Sequence, residues 1–240
     1  MKIISGKWLH ITNTKETPMQ PTGFCMQMRK YLSNASIKAI SQKDSERIIV
    51  FTFVKEKTYY LIVELFSKGN VVFTDEKYNI LGTLQLVRTA LRSVLAKGVY
   101  TFPKPGFNWK KATQKEIGLV ISRSEKRNLV TTLATECGLG GIYAQEICTK
   151  AEVDSQQKPS DVSVKDVQKL FASLSDLQKA LETPKGIVYE KDISPIPLQG
   201  KKSIKTVDTY SELLDEIIVD AKPSPYDQKI EQTKKIIDKL

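Results

Sequence analysis

"YYLIVELFSKGNVVFTDEKYNIL", residues 59–81, decides the fold of the first half of this sequence. Two apolar runs, Tyr59–Phe66 and Val71–Thr74, flank a Ser67-Lys68-Gly69-Asn70 turn. A polar turn over Asp75–Asn79 then leads to a third run from Ile80. Gly69 and Asn70 tolerate the positive φ that a tight hairpin requires, so the stretch reads as an antiparallel meander. The first run is apolar on both faces except for Glu64, which predicts a central strand. Lys68 stands at the hairpin tip, where a side chain is either solvated or directed at a partner.

The same grammar extends outward. Ile37–Ile40, Arg47–Phe53 and Ile80–Val87 are further strand candidates, joined by short polar links that favour antiparallel neighbours. One antiparallel sheet follows, with a sandwich as one arrangement of it. Upstream, residues 3–12 read as a single weakly alternating strand and Thr14–Gly23 as a loop. Phe24, Met28, Tyr31 and Leu32 form one helical face beside Arg29 and Lys30.

Beyond Phe102-Pro103-Lys104-Pro105-Gly106 the hydrophobic period changes from 2 to 3.6. Thr113 with Glu116 is a capping box, Ser124 is expected to cap a second helix, and Ser163 with Asp166 opens a third. Thr209 and Glu212 open a later helix bearing Leu213, Leu214 and Ile217. Tyr226, Ile230, Thr233, Ile237 and Leu240 recur at alternating spacings of four and three, the opening of a coiled-coil seam. The expected class is α+β. An antiparallel β domain covers 1–106, a helical domain 107–184, an extended segment and helix returning to the β domain 185–222, and a coiled coil begins over 223–240.

Charge narrows the function. The 240 residues include 37 Lys and Arg against 27 Asp and Glu, a net charge of +10. Residues 1–103 carry 15 basic and 7 acidic side chains, so the excess of +8 in that region sits on the strand-rich half. That is the distribution expected of a surface facing a polyanion. No apolar run approaches a membrane span, and the N-terminus lacks a signal-peptide pattern. The three cysteines, Cys25, Cys137 and Cys148, include no C-x-x-C pair and read as thiols in a reducing compartment. A cytoplasmic protein with no membrane partner is expected.

Catalytic chemistry finds little to work with. His10, the single histidine, has no motif around it, and phosphate-loop and nucleophile-elbow patterns are absent. Glu64 is a lone carboxylate, expected to pair with Arg47 on a neighbouring strand, and one carboxylate without a partner base is not a mechanism. No enzyme, cofactor or metal is expected. Gly138-Leu139-Gly140-Gly141 lies between helices, so the dinucleotide-binding reading fails its context. Glycines there allow close backbone approach and free N–H groups at the next helix start, a way to hold nucleic-acid phosphates; a plain interhelical turn is the alternative.

"PTGFCMQMRKYL", "ERIIVFTF", "YYLIVELFSKGNVVFTDEKYNIL" and "CGLGGIYAQEIC", in that order, resemble the N-terminal region of the NFACT family, in its archaeal type, over nearly the whole chain. The resemblance implies a β-rich domain similar to that of formamidopyrimidine-DNA glycosylases, then a helix-hairpin-helix-like domain and a coiled coil. It implies ribosome-associated quality control: binding of a stalled large ribosomal subunit with its nascent chain, contact with rRNA, and tRNA recruitment for C-terminal tailing. Ser67-Lys68 stands where many members carry an Asp-Arg pair tied to tRNA engagement. Lysine keeps the charge but loses the planar fork of arginine. The sequence is also expected to begin inside the first sheet, without the family's opening helix and strands.

The RNA-binding residues expected on these grounds are Arg29, Lys30, Arg47, Ser67, Lys68, Lys77, Gly138, Gly140 and Gly141. Two other functions fit less well. A glycosylase or lyase of the related fold uses an N-terminal proline amine beside a glutamate, whereas this sequence opens Met1-Lys2 and has no four-cysteine finger. A fibronectin-binding adhesin lacks support from a secretion signal.

Overall fold

The structure, a computed structural model, describes residues 1–13, 20–89 and 92–220. The proposed coiled-coil seam from Tyr226 lies outside the described residues. The chain opens with a hairpin of β1 (Lys2–Ile4) and β2 (Trp8–His10), so residues 3–12 are not one strand. Gly6 explains the difference: at φ 73° it lets the chain reverse between Ile4 and Lys7. Helix α1 (Gly23–Leu32) follows, with Thr22 accepting from the Cys25 backbone at its start.

Five strands then form one antiparallel sheet in sequence order. They are β3 (Ser36–Gln42), β4 (Ile48–Val54), β5 (Thr58–Glu64), β6 (Asn70–Asp75) and β7 (Ile80–Thr83), and β5 is central as its two-faced apolarity requires. Side chains alternate between two faces. Ile48, Val50, Ile62, Val72 and Ile80 meet Val94 and Tyr100 from the following segment, which contains the short ribbon of β8 (Val87–Arg88) and β9 (Ser93–Val94). Phe51, Leu61, Val63, Val71 and Phe73 lie under Phe24, Met28, Tyr31 and Leu32 of α1 and under Ile3 and Leu9. The sheet is therefore covered by a helix on one face and an irregular segment on the other, and it is not half of a sandwich.

Residues 106–110 lead out of the sheet along its β3–β4 turn. Glu46 accepts from the Gly106 backbone at 2.7 Å, and Ser45 donates to the Phe107 carbonyl at 3.1 Å. Next come α2 (Gln114–Ser122), α3 (Leu129–Thr135), α4 (Gly141–Ala151), a 3-10 turn (Pro159–Asp161) and α5 (Val164–Ala180). The capping boxes Thr113/Glu116 and Ser163/Asp166 are both formed. Ser124 is not the cap of α3. Asn128 takes that place, accepting from the Thr131 backbone, while Ser124 shares a hydrogen bond with the Thr132 hydroxyl. Ile117, Ile121, Leu129, Leu133, Ile147, Leu170, Leu174 and Leu177 form the common core of this unit.

The remaining chain builds a small antiparallel sheet, β11 (Ile193–Ser194), β10 (Gly186–Val188) and β12 (Lys205–Val207) in spatial order, and α6 (Tyr210–Asp220). His10, fully buried on β2, meets Asp215 of α6 at 3.3 Å. That contact joins the two ends of the described chain. No described helix is long and apolar enough to cross a membrane.

Candidate nucleic-acid interface

The hairpin tip is built differently from its sequence expectation. Gly69 donates its N–H to the Phe66 carbonyl at 2.8 Å, so Ser67 and Lys68 are the central residues. Positive φ falls on Ser67 (52°) and Gly69 (71°), not on Asn70. Asn70 instead opens β6 fully buried, where its side-chain oxygen accepts from the Val71 and Gln85 backbones and its amide donates to the Gln85 carbonyl. With the Thr83 hydroxyl also donating to its oxygen at 3.1 Å, this asparagine makes four hydrogen bonds and clamps β6 to β7 and the chain after it. Ser67 and Lys68 are both exposed.

The tip does not stand alone. A Cβ added to Gly69 would lie 1.8 Å from the Gly6 nitrogen, so the β5–β6 turn sits directly on the β1–β2 turn. Ser5 donates its hydroxyl to the Lys68 carbonyl at 3.1 Å. Lys7, exposed at the end of that second turn, was missed by sequence reasoning. Ser5-Gly6-Lys7 repeats the composition of Ser67-Lys68-Gly69, but linear order does not say that the two turns touch.

Arg47 belongs to the same end of the sheet, since its carbonyl accepts from the Leu65 N–H at 2.8 Å. It does not pair with Glu64. Arg92 does, engaging both carboxylate oxygens, one at 3.0 Å, while Tyr100 donates its hydroxyl at 2.8 Å. Glu64 is 3% exposed and points to the face covered by Val87, Val94 and Tyr100, whereas Arg47 is exposed before β4 begins. Burial pulls the Arg92 guanidinium down, but the Glu64 carboxylate outweighs it and holds the group above its ordinary value. Burial and the same carboxylate push the Tyr100 phenol up. Glu64 is thus a neutralised structural anion, and Arg47 is left to face solvent.

Lys77 lies at the opposite end. It follows β6 while Lys68 precedes it, and a six-residue strand separates them by roughly 20 Å. Lys77, expected with Arg29 and Lys30 to assist Lys68 against RNA phosphate, thus stands a strand length away from it. Its turn is ordered by Asp75, whose carboxylate accepts from the Lys77 and Asn79 backbones at 2.9 Å each. Arg29 and Lys30 form a third group, exposed on the last turn of α1. The adjacent Tyr31 packs on Tyr59 and Phe73 with ring centroids 5.6 Å apart, which sets that turn over the sheet face.

The glycine stretch stands at the start of α4. Gly138 and Gly140 have φ of 72° and 75°, and Gly140 caps the helix without any side-chain hydrogen bond. Nothing lies within 4 Å of a Cβ added at Gly138, Gly140 or Gly141. The Leu139 and Gly140 N–H groups donate to the Leu133 and Ala134 carbonyls, and the 11-residue helix that follows begins without a side-chain cap beside glycines that leave room for close approach. The sequence-predicted residues thus form separate clusters: Arg47, Ser67 and Lys68 at one sheet end, Lys77 at the other, Arg29 and Lys30 on α1, and the glycines on the helical unit. Among the described residues, no group of three or more His, Cys, Asp and Glu side chains is gathered for a metal.

Comparison with known proteins gives this geometry a family. The archaeal Rqc2 homolog aRqcH of Methanocaldococcus jannaschii is 29% identical over 97% of this chain and 38% of its own length. The human ribosome quality control complex subunit NEMF is 27% identical over 87% of this chain and 20% of its own length. This chain thus spans well under half of these relatives. Among solved structures, the N-terminal part of the fibronectin/fibrinogen-binding protein from Streptococcus suis superposes with a TM-score of 0.68 at 22% identity, covering 88% of this chain and 78% of that one. The fibrinogen binding protein from Staphylococcus aureus gives 0.66 at 18%, covering 83% and 76%. At such identities the likeness is one of fold. Residues 5–238 match the family described as NFACT N-terminal and middle domains, and this chain belongs to that family.

Proposed function

We propose that this chain is the N-terminal part of a ribosome-associated quality control factor that binds the stalled large ribosomal subunit, its rRNA, tRNA and the nascent-chain complex. The observation that carries the reading is the match, over 97% and 87% of this chain, to relatives named as an archaeal Rqc2 homolog and as a ribosome quality control complex subunit. The basic strand-rich half and its exposed Lys68 support it, because RNA is the polyanion such factors meet. In this reading the protein works in the cytoplasm, binds without catalysing, and needs no cofactor. The sheet unit acts as a glycosylase-like N-domain, α3 and α4 as a helix-hairpin-helix-like phosphate clamp, and residues from 223 onward as the start of a coiled coil.

The test is copurification from native cells with probing for large-subunit rRNA and tRNA, paired with purified binding assays. Lys68→Ala should weaken tRNA binding and lower its salt slope by about one unit, with thermal stability unchanged. Lys68→Arg should bind at least as well. Absence of both RNAs from the purified material would overturn the reading.

A further inference from the structure

The Gly6–Gly69 contact makes two turns into one body, and the consequence reaches beyond Lys68. Both glycines have positive φ, 73° and 71°, and each backbone occupies the space where the other's Cβ would stand. The Ser5 hydroxyl bonds the Lys68 carbonyl, so the peptide bearing Lys68 is held by the β1–β2 turn rather than by its own hairpin alone. Lys7 closes that second turn through its N–H to the Ile4 carbonyl at 2.9 Å. Lys7 and Lys68 are both exposed, and neither makes an ion pair among the described residues. The contact thus brings two exposed lysines, 61 residues apart in sequence, onto one pair of touching turns.

We propose that Lys7 and Lys68 form one phosphate-binding element, with Ser5, Gly6 and Gly69 as its positioning residues, and that its ligand is the RNA backbone. The ligand class rests on the RNA reading given above. Two exposed lysines on turns whose backbones touch put two positive charges at one sheet end, where a phosphate chain can meet both. Lysine acts at phosphate as a point charge and needs no planar fork. A paired lysine tip therefore suits backbone contact and carries no base specificity.

The test measures binding of deacylated total tRNA as a function of salt, using the whole chain. Lys7→Ala and Lys68→Ala should each lower the salt slope by about 0.7 to 0.9 units, and the double variant by about twice that. Lys57→Ala, an exposed lysine in the turn at the far end of the sheet, should leave affinity and slope nearly unchanged. Ser5→Ala keeps every charge and should weaken binding several-fold, with unfolding midpoint essentially constant. Gly6→Val is the harsher version, and its circular dichroism and unfolding midpoint show whether a loss reflects folding. If Lys68→Ala weakens binding and Lys7→Ala does not, the paired element is overturned while the RNA reading stands. If neither variant matters, or Lys57→Ala costs as much as Lys7→Ala, the proposal is overturned, and with neither mattering the RNA reading of this tip falls too.

Discussion

Arg92 grips Glu64 across the face of the central strand, and Tyr100 completes the grip from the other side. The three come from β5 and from the segment that covers it, so a charge in the middle of an apolar sheet becomes the fastener for its irregular lid.

Breaking that fastener should cost stability before it costs function. Removing one partner of a buried ion pair leaves an uncompensated polar group, worth about 3 kcal/mol here because Arg92 keeps some solvent contact. Glu64→Gln and Arg92→Ala should both lower the unfolding free energy by that order, whereas Arg47→Ala should change it by less than about 0.5 kcal/mol. Denaturant unfolding followed by circular dichroism reads the difference. Unchanged stability in Glu64→Gln with loss of RNA binding would turn the carboxylate into a binding group.

The His10–Asp215 contact predicts an acid-side signature. Asp215 is held below its ordinary value of 3.8, first by the Thr12 side chain and then by the Asn13 backbone and His10, against a smaller opposing effect of burial. A carboxyl depressed in the folded state contributes stability that is present above the unfolded value and is lost as pH falls through the folded one. Asp215→Asn should lower the thermal midpoint at pH 7 and flatten its decline below about pH 4. A parallel pair of midpoint-versus-pH curves for the two proteins would contradict this.

The glycines before α4 separate folding from binding. Gly141 is the first residue of the helix, with open space around it and no positive φ, so Gly141→Val should fold normally. If the α4 start holds phosphate, it should still weaken RNA or large-subunit association by filling the space beside the uncapped first turn. Gly140→Val forces a β-branched residue to positive φ and should cost about 1–2 kcal/mol as well. Full binding by folded Gly141→Val would make the turn a connector only.

Thiol chemistry offers a direct check on the helical core. Burial, with Glu136 beside Cys137 and Asp154 beside Cys148, pushes both thiols up to about 12. Neither is reactive as thiolate at neutral pH. A thiol reagent at pH 8 should label one cysteine of the native protein, Cys25, and all three after denaturation. Rapid labelling of a second thiol in the native state would show that α3 and α4 open readily.

Local sequence determined the elements of this protein. Period-2 apolarity and short polar links specify β3 to β7, and Thr113/Glu116 and Ser163/Asp166 carry their capping boxes within four residues. Such signals are legible because the interacting groups are neighbours along the chain. What needed the tertiary structure are relations between distant residues. Ser67, not Asn70, takes the left-handed position, and the Asn70 side chain is bonded inside the sheet. Glu64 chose Arg92 over Arg47 because strand alternation points it at the face covered by Val87, Val94 and Tyr100. Lys7 joined Lys68, and Lys77 left it, because a hairpin 61 residues away docks on one end of the sheet while strand length carries the other turn away. Charge composition puts the cationic excess on the strand-rich half, but which cations share a surface follows from strand direction and backbone packing, and neither is a property of any single stretch.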